Sequence, residues 1–488
     1  MSSILAIDAG TTGVTALIVT AHGEIAGRGY QEFRQHFPSP GWVEHVPEEI
    51  WQATLEACRE ALRGHDTADL AGIGLTNQRE TVVLWDRETL GSPRRAIVWQ
   101  DRRTASYCTE MADSQDRVRE LTGLRIDPYF SATKLAWLRE HEPHTWALVE
   151  SGRYAVGTVD SYLIARMTRG TWHVTDVSNA SRTLLFDLAA GEWSSELCDL
   201  FGVPRDALPE VVPNWGSTQL VTDARSFLDL ELPVAGLAGD QQAALFGQAC
   251  FDVGDSKCTY GTGSFVLTNT GTELERSEAG LLTTAAWRSP AGETTYAVEG
   301  AIFVTGAAVQ WLRDGLRIVG SAAESEALAS TVDSSEGVVF VPALTGLGAP
   351  HWDPHARGLI GGITRGTTRA HLARATLEAI AFEVRDVLET MPRLTCLKVD
   401  GGAAANDLLC QLQADQLGIE VSRPRYVETT GLGAAFLAGL GVGVWDSFDQ
   451  IRETWALDRT FAPTGDREAA DAAYSRWSAA VEHAKGWA

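Results

Sequence analysis

The sequence predicts an α/β protein made of two related halves, residues 1–248 and 249–488, facing each other around a central acid. Three observations carry this. Both halves open with a buried strand, a glycine/threonine turn and a second strand. Strands and amphipathic helices alternate through the chain, as in α/β architectures with polar loops at strand ends. Near the midpoint, the small-residue run Ala235-Gly236-Leu237-Ala238-Gly239 delivers Asp240-Gln241-Gln242 and then an apolar helical segment ending at Gly247. Read alone, Asp240 is equally a helix cap. Glycine/threonine turns on both sides of it in sequence favour a cleft acid between two phosphate-holding halves.

Composition narrows the function. Forty basic residues stand against 64 acidic ones, a net charge of −24, which argues against nucleic acid or an anionic membrane surface as partner. A small anion such as ATP is still accommodated by local arginines and backbone N–H groups. The seven cysteines form no Cys-x-x-Cys pair, which fits reduced thiols and gives zinc no support. The start, Met1 to Asp8, has no basic segment and its apolar run is broken by Asp8. It reads as a strand and not a signal peptide, and no window reaches the ~18 apolar residues of a membrane span. A cytoplasmic protein without membrane insertion is expected.

Taken in order, Ile4-Leu5-Ala6-Ile7 is a strand ended by Asp8-Ala9-Gly10-Thr11-Thr12-Gly13, and Val14 to Val19 is the next. A further turn, Ala21-His22-Gly23-Glu24, leads into a third. Residues 47–63 carry Ile50, Trp51, Leu55 and Cys58 at helical spacing. Strands at 71–76, 82–85 and 96–99 end in Asn77-Gln78-Arg79-Glu80 and Gln100-Asp101-Arg102-Arg103. The Pro- and Asp-rich stretch 204–234 reads as a surface connection. In the second half, strand 256–260, the turn Gly261-Thr262-Gly263-Ser264 and strand 265–270 repeat the opening device. A helix at 370–389 and a strand at 397–400, leading into Gly401-Gly402, follow.

Familiar phosphate and nucleophile motifs are absent. None of the four lysines follows a glycine, which removes the P-loop, and no Gly-x-Gly-x-x-Gly or Gly-x-Ser-x-Gly is complete. What remains is a nucleotide clamp of glycine/threonine turns, with Asp8 for a metal and Asp240 as base. Phosphoryl transfer asks mainly for positioning, charge neutralisation and a carboxylate to receive a proton. Arg79, Glu80, Tyr129 and Gln241, at strand ends or polar turns, are candidates to hold an acceptor's hydroxyls.

Several stretches, in order from end to end, resemble the FGGY carbohydrate-kinase family. They include Asp8-Ala9-Gly10-Thr11-Thr12, Thr76 to Thr81, Val98 to Arg103, Tyr129 to Leu138, Gly157 to Asp160 and Asn179 to Thr183. Gly239 to Gly247, Gly346 to Pro354, and Gly358 to Ile363 with His371 and Glu378 complete the set. The resemblance implies an actin-like, ribonuclease-H-type duplicated fold, with ATP and substrate in the cleft between domains. It implies phosphorylation of glycerol by ATP, with Asp240 as the base. By the same resemblance Arg79, Glu80, Tyr129, Asp240 and Gln241 hydrogen-bond glycerol, and Trp99 and Phe265 pack on its carbons. Thr11, Thr12, Gly13 and Thr262 lie near the phosphates, Gly306, Gln310, Gly402 and Asn406 line the rest of the nucleotide site, and Asp8 holds Mg²⁺. Where the family's glycerol-specific members place a polar pair and an arginine after the two threonines, this chain has Gly13-Val14-Thr15. Two rivals stay open: a kinase of the same family for another polyol or a ketose, and an actin- or Hsp70-like ATPase without a small acceptor. A homo-oligomer is also left open.

Overall fold

The computed structural model describes residues 2–277, 280–391 and 394–487. The first half contains β1 (Ser3–Ala9), β2 (Gly13–Thr20), β3 (Ile25–Glu32), α1 (Pro47–Ala61) and β4 (Leu70–Asn77). It continues through α2 (Ser131–His141) and α3 (Val177–Ala180) to β5 (Val234–Gly239) and α4 (Asp240–Gly247). The second half contains β6 (Ser256–Tyr260), β7 (Ser264–Gly271), β8 (Leu282–Arg288) and β9 (Thr294–Ile302). After these come α5 (Gly306–Asp314), α6 (Arg369–Leu388), β10 (Cys396–Asp400), α7 (Asp407–Leu417), β11 (Glu420–Pro424), α8 (Thr429–Val442) and β12 (Leu457–Phe461).

The duplication is visible in the sheets. The first is ordered β3-β2-β1-β4-β5, and the middle of the second is ordered β9-β7-β6-β10-β11, with β8 and β12 added at its edges. In each, the first three strands are antiparallel in succession, and the third, fourth and fifth run parallel. β1 shows why a strand of this kind sits in the middle of a sheet. Its seven residues point alternately to two faces. Leu5, Ile7 and Ala9 enter the core under α1, and Ile4 and Ala6 enter the core shared with α8. An uninterrupted apolar run is the pattern such double coverage requires. α1 begins with Pro47 in its first turn and buries Ile50, Trp51 and Cys58.

Each half gives a helix to the other. α8, from the second half, lies against β1, β4 and β5 of the first sheet and crosses α4. α4 in turn meets β6 and β7. The backbones come so close that a Cβ at Gly74 would collide with the Ala434 carbonyl, and one at Gly433 with that of Ala243. The small residues of α8, Gly431, Gly433, Ala434, Ala435 and Ala438, make this approach feasible.

Two sequence expectations are corrected. The stretch 204–234 is more than a surface connection: Leu220, Phe227 and Leu230 are buried in the core beneath α1, and buried Asn214 donates to Asp176 and to the Leu237 carbonyl. Proline and aspartate there mark turns between docked residues, not exposure of the whole segment. The strand expected at 96–99 covers only Ala96–Ile97. Val98 donates to the Val43 carbonyl and Trp99 to the Thr81 hydroxyl, so the chain has already left the ladder. No helix among the described residues is long and apolar enough to cross a membrane.

Candidate active site

The cleft site is assembled where β4 and β5 end. β4 runs out into Gln78-Arg79-Glu80, and β5 hands over directly to α4 at Asp240. The ends of adjacent parallel strands bring the two loops side by side, so Arg79 Nε lies 3.1 Å from Asp240 Oδ1. The four N–H groups on the Nη atoms of Arg79 are all used. Nη1 donates to Glu299 Oε2 at 2.5 Å and Gln242 Oε1 at 3.1 Å, and Nη2 donates to Glu299 Oε1 at 3.2 Å and the Tyr129 hydroxyl at 3.3 Å. A guanidinium offers five donors in a fixed fork. Here they lock Asp240, Tyr129 and the second-half strand β9 into one frame.

Arg182, just after α3, completes this frame by donating to Glu80 Oε1 at 2.7 Å and Glu299 Oε1 at 2.8 Å. Glu80 itself has φ 61°, a strained backbone that persists because its surroundings fix it. Burial raises the Glu80 carboxyl while Arg79 and Arg182 hold it down. Glu299, buried between the two guanidiniums, ends below its ordinary value because their attraction outweighs desolvation.

Asp240 is the most accessible acid of the group. Its side chain is 26% exposed, and Oδ1 lies 3.1 Å from Arg79 Nε and accepts from the Gln241 backbone N–H. Burial raises its carboxyl against the opposing pull of Arg79 and Lys257. The Gln241 side-chain oxygen is occupied by Lys257 Nζ at 2.5 Å, and Lys257 also donates to Thr259 at 2.8 Å. The amide nitrogen of Gln241 is therefore the group left for a ligand. Trp99 forms an aromatic wall with Tyr129 (5.6 Å between centroids) and Phe265 (6.2 Å), and its indole N–H donates to the Thr11 hydroxyl at 2.9 Å. This single bond ties the wall to the first glycine/threonine turn.

Asp8 is the penultimate residue of β1, beside that turn. Its carboxyl is pushed up to about 7, first by burial and then by the charge of Asp240. Two oxygen-donor carboxylates that repel each other suit a hard divalent cation. Among the described residues no cluster of three or more His, Cys, Asp or Glu side chains is placed to hold a metal.

The turn of the second half opens into a pocket of about 440 Å³, open to solvent and lined by Thr262, Gly306, Gln310, Gly402 and Asn406 among others. Gly306 approaches the Gly261 carbonyl so closely that a Cβ would lie 2.6 Å from it. Asn406 uses its side-chain oxygen to cap α7 through the Leu409 N–H, leaving its amide N–H₂ for the pocket. Each expected site residue thus lies at the cleft acid, the aromatic wall, the first turn or this pocket.

Sequence reasoning missed Glu299, Gln242 and Lys257, and gave Arg182 no role. Three further polar side chains have all their partners within the protein. Lys134 donates to three carbonyls, Arg103 pairs with Asp101 and Glu44 at 2.8 Å, and His351 meets Asp386 at 2.6 Å.

A duplicated α/β fold with a buried Arg–Asp–Glu frame between its sheets defines a two-lobed, actin-like cleft protein. Family models for the N-terminal and C-terminal domains of the FGGY family of carbohydrate kinases match residues 3–247 and 256–442. The chain belongs to that family. It is 52% identical to a glycerol kinase of Myxococcus xanthus, over 99% of both chains. It is equally similar to a glycerol kinase of Bordetella parapertussis, over 99% of this chain and 97% of that one. Among solved structures, a Plasmodium falciparum glycerol kinase with ADP superposes with a TM-score of 0.91 at 34% identity, covering 99% and 98% of the two chains. A xylulose kinase of Lactobacillus acidophilus shares the fold, with a TM-score of 0.86 at 20% identity and the same coverage.

Proposed function

We propose that this protein phosphorylates glycerol with ATP, giving sn-glycerol 3-phosphate and ADP. The observation that carries this reading is Asp240 at the start of α4, paired at 3.1 Å with Arg79, which also meets Tyr129 and Phe265 of the aromatic wall. The full-length similarity to glycerol kinases supports it.

In this mechanism Asp240 accepts the proton of the acceptor's terminal hydroxyl as that oxygen bonds to the γ-phosphorus. The bond from phosphorus to the β,γ-bridging oxygen breaks, and its electron pair leaves with ADP. Arg79 and Glu80 hold one side of the acceptor, and the Gln241 amide N–H₂ donates from the other. The aromatic wall covers the acceptor's carbons. Three rings and a buried Arg79–Glu80 pair suit a small triol better than a ketose. Thr11, Thr12, Gly13 and Thr262 hold phosphates from the two lobes, and Gly306, Gln310, Gly402 and Asn406 border the nucleoside. Asp8 would hold Mg²⁺, which when bound neutralises phosphate charge. The frame of Glu299, Arg79 and Arg182 gives the site a purpose that an acceptor-free ATPase would not need.

The test is Mg-ATP turnover with glycerol, tetritols, pentuloses and no acceptor, for the native protein and Asp240→Asn. Glycerol-dependent ADP release, lost by about 10²-fold or more in the variant, is expected for a missing base. Turnover confined to another polyol would overturn the acceptor. ATP hydrolysis indifferent to acceptor and to Asp240 would sink the kinase reading.

A further inference from the structure

The first glycine/threonine turn carries no side chain at position 13. Gly13 follows two threonines at the start of β2, and the geometry forbids a larger residue: a Cβ there would lie 2.7 Å from the Gln31 carbonyl and 2.8 Å from the Tyr30 hydroxyl. Carbon Cε2 of the same tyrosine ring would be 2.9 Å away. Tyr30 thus occupies the space that a side chain at 13 would fill, and it brings a hydroxyl to that space.

The sheet register explains how it gets there. Asp8 pairs with Thr15 on β2, and Thr15 pairs with Tyr30 on β3. Directly paired residues project to the same face of a sheet, so Asp8, Thr15 and Tyr30 form a row on the face that looks into the cleft. The opposite face of β3 lies on α1, where Gly27 and Gly29 approach the carbonyls of Ala61 and Ala57. Tyr30 leans along this row toward the turn. Its side chain is within the only partly covered part of the lip, with 38% of the residue exposed. Its hydroxyl has no hydrogen-bond partner among the described residues, whereas its backbone N–H is held by Glu60 at 3.2 Å. The neighbouring positions of the turn offer no cation: they are Gly10, Thr11, Thr12, Gly13, Val14 and Thr15.

We infer that the Tyr30 hydroxyl is a phosphate-binding donor for the transferred phosphoryl group, supplying from β3 the side-chain contact that Gly13 and Thr15 do not. This rests on the reading of the cleft as an ATP site. A phosphate oxygen held by the backbone N–H groups of the turn comes within reach of a hydroxyl lying over Gly13. The bond to a charged acceptor strengthens as charge develops on that oxygen.

Tyr30→Phe tests the hydroxyl alone, because the ring that packs on Gly13 stays. Calorimetric binding of Mg-ADP and of Mg-AMP-PNP, a non-transferring ATP analogue, is compared with steady-state kinetics and thermal unfolding. A hydrogen bond to a charged group predicts that the variant loses about 10- to 100-fold in AMP-PNP affinity and in kcat/KM for ATP. Mg-ADP affinity, glycerol KM and Tm stay as in the native protein. Unchanged AMP-PNP affinity and kcat/KM overturn the inference, and so does an equal loss for ADP and AMP-PNP, which would mark a disturbed cleft. The binding comparison distinguishes this from a wrong acceptor: a protein that binds AMP-PNP but phosphorylates another polyol refutes glycerol and leaves the Tyr30 contact standing. Absence of any nucleotide binding by the native protein refutes both.

Discussion

Glu299 is a carboxylate with no exposed surface and two arginines on it, and charge balance decides what it is for. Arg79 and Arg182 reach it at 2.5 and 2.8 Å, and all three side chains are buried. Burying a cation is costly unless a counter-charge and hydrogen bonds accompany it, and removing one partner exposes that cost. Glu299→Gln keeps the shape and removes the charge. It is expected to lose about 3–5 kcal/mol of stability in urea unfolding, with Asp240 and Tyr129 released from their settings. A variant as stable as the native protein would show that the frame is carried by Glu80 instead. The same group shows where legibility in the sequence stops. Arg79, Glu80 and Asp240 stand out because each follows an apolar strand and breaks into polarity. Glu299 lies inside the strand Thr294–Ile302, flanked by Val298 and Gly300 with Ala301 beyond, and its meaning arises only when residues 79 and 182 arrive from the other half.

At the scale of elements, α2 has a structural task that its sequence only partly discloses. Buried Lys134 turns back from α2 to donate to the carbonyls of Pro128, Tyr129 and Phe130 at 2.6, 2.7 and 3.1 Å. Burial lowers this ammonium to about 7, against the raising influence of Glu80 and Asp101. Three donors on three consecutive carbonyls fix the loop that presents Tyr129 to Arg79. Lys134→Met would leave those carbonyls unpaired, at about 1–3 kcal/mol each before relaxation. The expected result is a lower Tm and a glycerol KM raised well beyond that for ATP. Equal changes in the two KM values would show that α2 serves the whole cleft and not the acceptor side. Helices α1 and α6 were legible because apolar residues recur at helical spacing: the expected 47–63 and 370–389 are observed as Pro47–Ala61 and Arg369–Leu388. The destination of α8 was not. Its run of Gly and Ala tells that something comes close, but the partner is a strand more than 300 positions earlier, a contact no local pattern encodes.

For the molecule as a whole, the exchange of helices decides how it unfolds. Two lobes joined by a flexible linker would melt separately, because few contacts cross such a boundary. Here α8 completes the first sheet's core from the second half, packing Leu437 and Phe436 with Ile4 and Leu17, and α4 reaches the second sheet through Phe246 and Leu245. Neither sheet keeps a closed core if the other lobe opens fully. One calorimetric transition is therefore expected, with the calorimetric and van't Hoff enthalpies in agreement. Gly433→Val probes the joint directly, since its side chain would strike the Ala243 carbonyl at the crossing of α8 and α4. Overpacking of this kind costs about 1–3 kcal/mol, and the strain falls on both lobes. The variant should keep a single transition at lower temperature. It should also lose glycerol turnover, because Asp240 stands at the first turn of the displaced α4. Two resolved transitions in the native protein, or a Gly433→Val variant in which only one of two transitions moves, would mean that the lobes are energetically independent and that the cleft is held by its ligands rather than by this pair of helices.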